Sequence, residues 1–223
     1  MKLHFFRWFA VAVILSAAIF GRIKRDSYTD LRKEENYMDQ LMVAELPEEI
    51  AITACSNMLK DLPDSPIILR VIPNEDMEHI FGAGRQKVSI QEIYAGNNLG
   101  VGQEIYLYYN SGRLILREGE DKSAELNFVN VMREGKEYLV FISHKVDALN
   151  EPIPIYQLNR DVISPIFSYE EPKSRAIIPV GEGSTYVPYI QVKDNEFFAT
   201  SEKAFDAWDS LKSEMLLAYP NKY

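Results

Sequence analysis

The sequence predicts a mainly β domain, an antiparallel barrel or sandwich, with helices before and after it. Three observations carry that expectation. Six short runs dominated by Ile, Val and Tyr lie between Ile67 and Leu158. Clusters of Gly, Asn and Asp separate strand-like runs at turn spacing, as in "FGAG", "AGNNLGVG", "NSG", "REGK" and, further on, "GEGS". Helical periodicity is confined to the two flanks, and no long helix interrupts the strands.

The chain begins "MKLHFFRWFAVAVILSAAIFGRIKR", a basic start, an uncharged apolar run from Trp8 to Gly21 and a basic end. Such a segment reads as an export or anchoring signal. Fourteen residues at about 1.5 Å each reach only about 21 Å, but counting from Leu3 and letting Arg7 snorkel gives nineteen, enough to cross a thinned bilayer. Small residues at Ser16 and Ala18 would place cleavage inside the apolar run, and a cut after Gly21 puts Ile19 at the third-last position. An uncleaved single-pass transmembrane anchor is therefore expected, with a removed signal peptide and a secreted product as the alternative. Basic residues at both ends leave orientation nearly balanced, and the body is placed on the extracytoplasmic side.

Residues 27–46 carry apolar side chains at mostly helical spacing and predict a helix leading out of that segment. Pro47 opens a second helix, with Glu48 and Glu49 at its positive end and Ile50, Ala54, Met58 and Leu59 as its packing residues. Strands are expected at 67–72, 87–94, 103–109, 113–118, 137–143 and 154–158. A C-terminal amphipathic helix spans 202–219, with Ala204, Phe205, Trp208, Leu211, Met215, Leu216 and Tyr219 on one stripe. Lys212 falls inside that stripe and is expected to snorkel to water, and Leu217 falls outside it. The organisation is thus an N-terminal signal or anchor over 1–25, a helical lead-in over 26–64, a β-barrel domain over 65–200 and a helix over 201–223 packed on it.

Composition excludes several classes. The 223-residue chain has a net charge of −9, and its first 25 residues contain no acid, so the remainder is more acidic still, with 19 basic against 33 acidic residues. Such a surface repels nucleic acid, and no basic patch offsets it. One cysteine, Cys55, permits no intramolecular disulfide and no cysteine-based zinc site, and its apolar neighbours predict a buried, unreactive thiol.

The three glycines of "VSIQEIYAGNNLGVGQEIYLYY" do not match a dinucleotide fingerprint, because Gly100 and Gly102 precede a strand and no third glycine follows at the required place. They predict a turn between antiparallel strands, supplied with positive backbone angles by Gly and Asn.

That stretch, followed by "NVMREGKEYLVFIS" and "YVPYIQVKDNEFFATSEKAFDAWDSLKSEML", resembles a group of uncharacterised membrane-anchored or secreted proteins of Gram-positive bacteria. Their barrels are similar to the OB-like fold of netrin modules and tissue inhibitors of metalloproteinases. The resemblance covers about residues 65–218 and implies a small antiparallel OB-like barrel. Those inhibitors chelate the protease zinc through a disulfide-bonded N-terminal cysteine, which this chain lacks, so the resemblance does not carry that mechanism over.

No lipase elbow, zinc-protease, phosphate-loop or calcium-loop motif occurs. Glu75, Asp76, Glu78 and His79 offer possible divalent-ion ligands, but their spacing fits no established metal loop and reads as a solvated loop between the first two strands. "REGED", "YEEP" and "KDNE" read as exposed turns, and Ser123 as part of an exposed loop. Tyr106, Tyr108, Tyr109, Tyr138 and Tyr156 are possible ligand-surface residues. Alternation places Tyr106 and Tyr108 opposite Ile105, Leu107 and Tyr109, so one set is core.

No catalytic, cofactor-binding or metal-ligating residue is assigned. The expectation is a non-catalytic, membrane-tethered domain that binds a protein or small ligand at the cell surface. The alternatives are a hydrolase using carboxylates such as Glu75 or Asp76, and a protease inhibitor that inserts a barrel edge.

Overall fold

The computed structural model describes residues 2–26, 36–80, 83–109, 113–116, 122–177 and 186–222, and the chain divides into two units, Met1–Tyr37 and Met38–Tyr223. Predicted features in "NSG", "REGED" and "GEGS", and most of the expected helix before Leu41, lie outside these residues.

The first unit contains helix α1, Lys2–Asp26. Trp8, Ile14, Ile19, Phe20 and Ile23 are exposed along it. Arg7 interrupts its apolar sequence, leaving the run from Trp8 to Gly21. Among the described residues no helix is long and apolar enough to cross a membrane, so the spanning helix expected from the sequence is not found.

The second unit is mainly β. It contains β1 (Met42–Ala44), α2 (Glu48–Asp61), β2 (Ile67–Pro73), β3 (Glu78–Ile80), β4 (Ala83–Ala95), β5 (Glu104–Tyr109), β6 (Arg113–Leu116) and β7 (Lys122–Glu125). After these come β8 (Tyr138–Val146), β9 (Ile155–Leu158), β10 (Ile166–Ser168), β11 (Tyr186–Pro188), α3 (Tyr189–Val192) and α4 (Glu202–Ala218). Of the helix expected over 27–46, the described part forms a short 3-10 helix at Tyr37–Gln40 and then a strand rather than an α-helix. Residues 42–44 are held as a strand between β11, antiparallel, and β7, parallel, with Val43 fully buried. Tertiary pairing overrides the local pattern. Ser123, expected in a loop, is buried in β7 opposite Met42.

Five strands close a barrel. In barrel order they are β2, β4, β5, β9 and β8, with β8 returning to β2; only the β5–β9 pair is parallel. Leu69, Val71, Val88, Ile90, Ile105, Leu107, Val140 and Ile142 are fully buried. Burying all eight side chains is worth about 1.5–3 kcal/mol each before conformational entropy is subtracted. β10 extends the barrel wall beside β8, and β3 folds back on β4. The smaller sheet runs β11, β1, β7, β6.

The turn between β4 and β5 answers the glycine question in favour of geometry. Gly96, Asn98 and Gly102 have positive φ of 122°, 59° and 82°, while Gly100 does not. A Cβ on Gly96 would lie 3.3 Å from Ile67 and Leu99 side chains.

Helix α2 begins after Pro47 as expected, yet it buries Ala51, Ala54, Cys55 and Met58 and leaves Ile50 and Leu59 exposed. Burial pushes the Cys55 thiol up to about 12, in keeping with an unreactive group. Helix α4 is capped by Ser201, whose hydroxyl accepts from the Ala204 amide. Its Trp208 stacks between Phe167 and Phe197, with ring centroids 4.9 and 4.8 Å away. Leu217 is exposed as expected, whereas Lys212 does not reach water: it is buried and paired with Glu196, in the segment "KDNE" that the sequence placed on an exposed turn.

Candidate binding face on strands β4 and β5

Residues alternate strictly at the start of β4. Gln86, Val88 and Ile90 point inward, while Arg85, Lys87 and Ser89 point outward. On β5, Ile105, Leu107 and Tyr109 are core, and Tyr106 and Tyr108 are the outward, half-buried pair. The register sets Arg85 opposite Tyr108, Lys87 opposite Tyr106 and Ser89 opposite Glu104. Two cations and two tyrosines therefore share one outer face.

Loops from both sides converge on that face. Arg85 Cζ lies 4.2 Å from the centre of the Tyr106 ring, and its guanidinium donates to Glu78 at 3.0 Å and to Glu151 at 3.4 Å. Burial opposes the Arg85 charge, but Glu78, Tyr106 and Glu151 outweigh it and hold the pKa above its ordinary value. Lys87 pairs with Glu75, whose hydrogen bond raises the ammonium pKa. Asn74 Nδ2 donates to Ser89 Oγ at 2.8 Å and to Glu104 at 2.9 Å. At the far rim, residues 145–149 and 151–155 line a cavity of about 530 Å³, and the Tyr106 amide donates to the Pro154 carbonyl at 2.9 Å.

The acids singled out from the sequence are thus divided by role. Glu75 and Glu78 serve the cations, and Asp76 is exposed. Among the described residues no group of three or more His, Cys, Asp or Glu side chains converges as a metal site. Tyr109, Tyr138 and Tyr156 are buried and do not join Tyr106 and Tyr108. Tyr109 instead donates to Gln86 inside the barrel at 2.8 Å.

Arg85, Lys87 and Glu151 were not anticipated. The available signal was "GRQKVSI", with cations at alternate positions of a strand, but their partnership with tyrosines depends on register.

Nucleophile chemistry finds little support. Ser143 Oγ is 2.9 Å from His144 Nδ1, but the two residues are sequence neighbours, and Ser143 also bonds the Gln157 carbonyl. Among the described residues, the carboxyls that burial raises are those of Asp161, Glu196 and Asp209, none of which belongs to β4 or β5.

No family model matches the chain, and no curated protein matches it.

Proposed function

We propose that this is a non-catalytic binding domain built on an OB-like barrel and attached to a membrane surface, with its body on the extracytoplasmic side. The observation that carries the binding role is the β4–β5 face, where Arg85 and Lys87 lie beside Tyr106 and Tyr108 between two loop rims. The OB-like reading is supported by strand order. Numbered along the chain, the barrel strands run 1-2-3-5-4 and return to 1, and only the 3–5 pair is parallel. Barrels of that type bind ligands on the strand 2–3 face and the adjoining loops, here β4, β5 and residues 74–78 and 147–154.

The chemistry of the face selects a ligand class. Glu75, Glu78, Glu104 and Glu151 outnumber the two cations, so polyanions are repelled. Tyrosine rings with alternating donors and acceptors suit a carbohydrate chain, whose ring faces stack and whose hydroxyls take both roles. Membrane attachment is supported by the exposed apolar side chains of α1 and by Arg7, Arg22 and Lys24 near its ends, which favour anionic headgroups.

Retention on immobilised polysaccharides tests the binding role. The double substitution Tyr106→Ala with Tyr108→Ala should weaken retention at least about tenfold, since truncating an aromatic anchor of a binding face commonly costs more than about 1 kcal/mol. Thermal stability should change little, because both rings lie outside the core. Retention by the unaltered protein that is indifferent to both rings would reject this face.

A further inference from the structure

A second set of tyrosines and acids lies on a different part of the barrel, and a peptide already occupies it. The register shift opposite Arg70 and Val71 changes which side of β4 faces outward, so Glu92 and Tyr94 join Arg70 on the outer wall. Arg70 is almost fully buried there, ion-paired with Glu137 and 3.5 Å from Glu92. Tyr169, just after β10, places its hydroxyl 3.2 Å from that of Tyr94.

The chain's own tail fills the space in front of these groups. Helix α4 ends at Ala218, two residues before Pro220, and the following residues cross the wall in non-helical conformation. Tyr169 Oη donates to the Tyr219 carbonyl at 2.7 Å, and Tyr94 Oη donates to the next carbonyl, that of Pro220, at 2.8 Å. The Tyr219 ring packs against Tyr94 and Phe141, with centroids 5.3 and 5.7 Å away. Asn221 Nδ2 then donates to Glu137, and Lys222 Nζ lies 2.8 Å from Glu92.

We propose that this cradle is a peptide-binding site, occupied in cis by Tyr219–Lys222, that takes the same class of ligand in trans: an extended segment with an aromatic residue before proline and a cation two residues after it. Two hydroxyls read consecutive main-chain carbonyls, an aromatic slot takes the first side chain, and two carboxylates take the last two. Pro220, Asn221 and Lys222 are themselves exposed, so the tail buries little apolar area. Its occupancy rests on being tethered beside the site, an advantage equivalent to a millimolar-scale local concentration that a competing segment can overcome.

The test uses the full chain and a labelled peptide copying residues 217–222. The double substitution Tyr219→Ser with Lys222→Glu releases the tail. This variant, with a circular dichroism spectrum and melting temperature near those of the unaltered protein, should bind the peptide saturably, and at least about tenfold more tightly than the unaltered protein does. Adding Tyr94→Phe and Tyr169→Phe, which keep both rings and remove only the two donors, should weaken binding by about tenfold or more. A folded, tail-released variant that ignores the peptide, or binds it equally well without the hydroxyls, overturns the proposal.

A second measurement needs no variant. Several millimolar peptide should accelerate amide exchange in the 217–222 fragment of the unaltered protein, and unchanged exchange overturns the proposal equally.

Discussion

Lys212 occupies a position on α4 that apolar side chains occupy one turn away on either side. Its ammonium is buried, bonded to Glu196 and, at 3.0 Å, to the Glu170 carbonyl. Glu196 completes the arrangement by accepting from the Ser168 amide at 2.8 Å. Burial raises the Glu196 carboxyl pKa even against the pull of Lys212, as expected for a charge held in a poorly hydrated setting. Removing one partner strands the other charge. Lys212→Met should therefore cost about 3–5 kcal/mol in urea denaturation, and adding Glu196→Gln should restore most of that loss. If the single and double variants are equally destabilised, the pair is not what holds α4 to this segment.

At the scale of the element, the β4–β5 connection sorts three glycines by one angle. Gly96→Ala and Gly102→Ala force an alanine into positive φ and should each cost about 1–2 kcal/mol, whereas Gly100→Ala should stay within about 0.5 kcal/mol. Equal denaturation midpoints for all three would mean that the turn is not built this way.

The same turn was legible in the sequence, as were the strands it joins, because Gly and Asn punctuation and period-two patterning are local signals. Helix α2 was legible in its start at Pro47 and in the burial of Ala54 and Met58, but Ala51 and Cys55 complete its buried face while Ile50 and Leu59, expected to pack, are exposed. What escaped depends on partners distant in the chain. β1 looks helical until β7 and β11 flank it, and Lys212 looks stranded until Glu196 is placed beside it. The candidate face escaped for a similar reason. Tyr106 and Tyr108 were correctly separated from Tyr109 by alternation, but Arg85 stacks on Tyr106 only once β4 and β5 pair in register.

For the whole molecule, burial sets a limit on alkaline stability. It raises Cys55 and Tyr189 to about 12, and also lifts Tyr94, Tyr109, Tyr138, Tyr156, Tyr169 and Tyr219 above the ordinary phenol range. Between the unfolded values, about 8.5 for thiol and 10 for phenol, and the raised folded ones, the folded chain holds more protons than the unfolded chain. Stability from these groups is complete below about pH 8.5 and is lost as pH rises toward 12. The melting temperature should stay level from neutral pH to about 8.5 and then drop by about 5 °C or more by pH 11. A flat profile to pH 11 would contradict the burial of this set.

The small sheet joins β1, near residue 43, to β11, near residue 187, and its middle pair is the parallel one. A ribosome adding about 5–20 residues per second needs roughly seven to thirty seconds to make the intervening chain. Through that interval Val43 has no outer neighbour. Nascent chains would therefore present an unfinished strand edge to chaperones and proteases until β11 has been made.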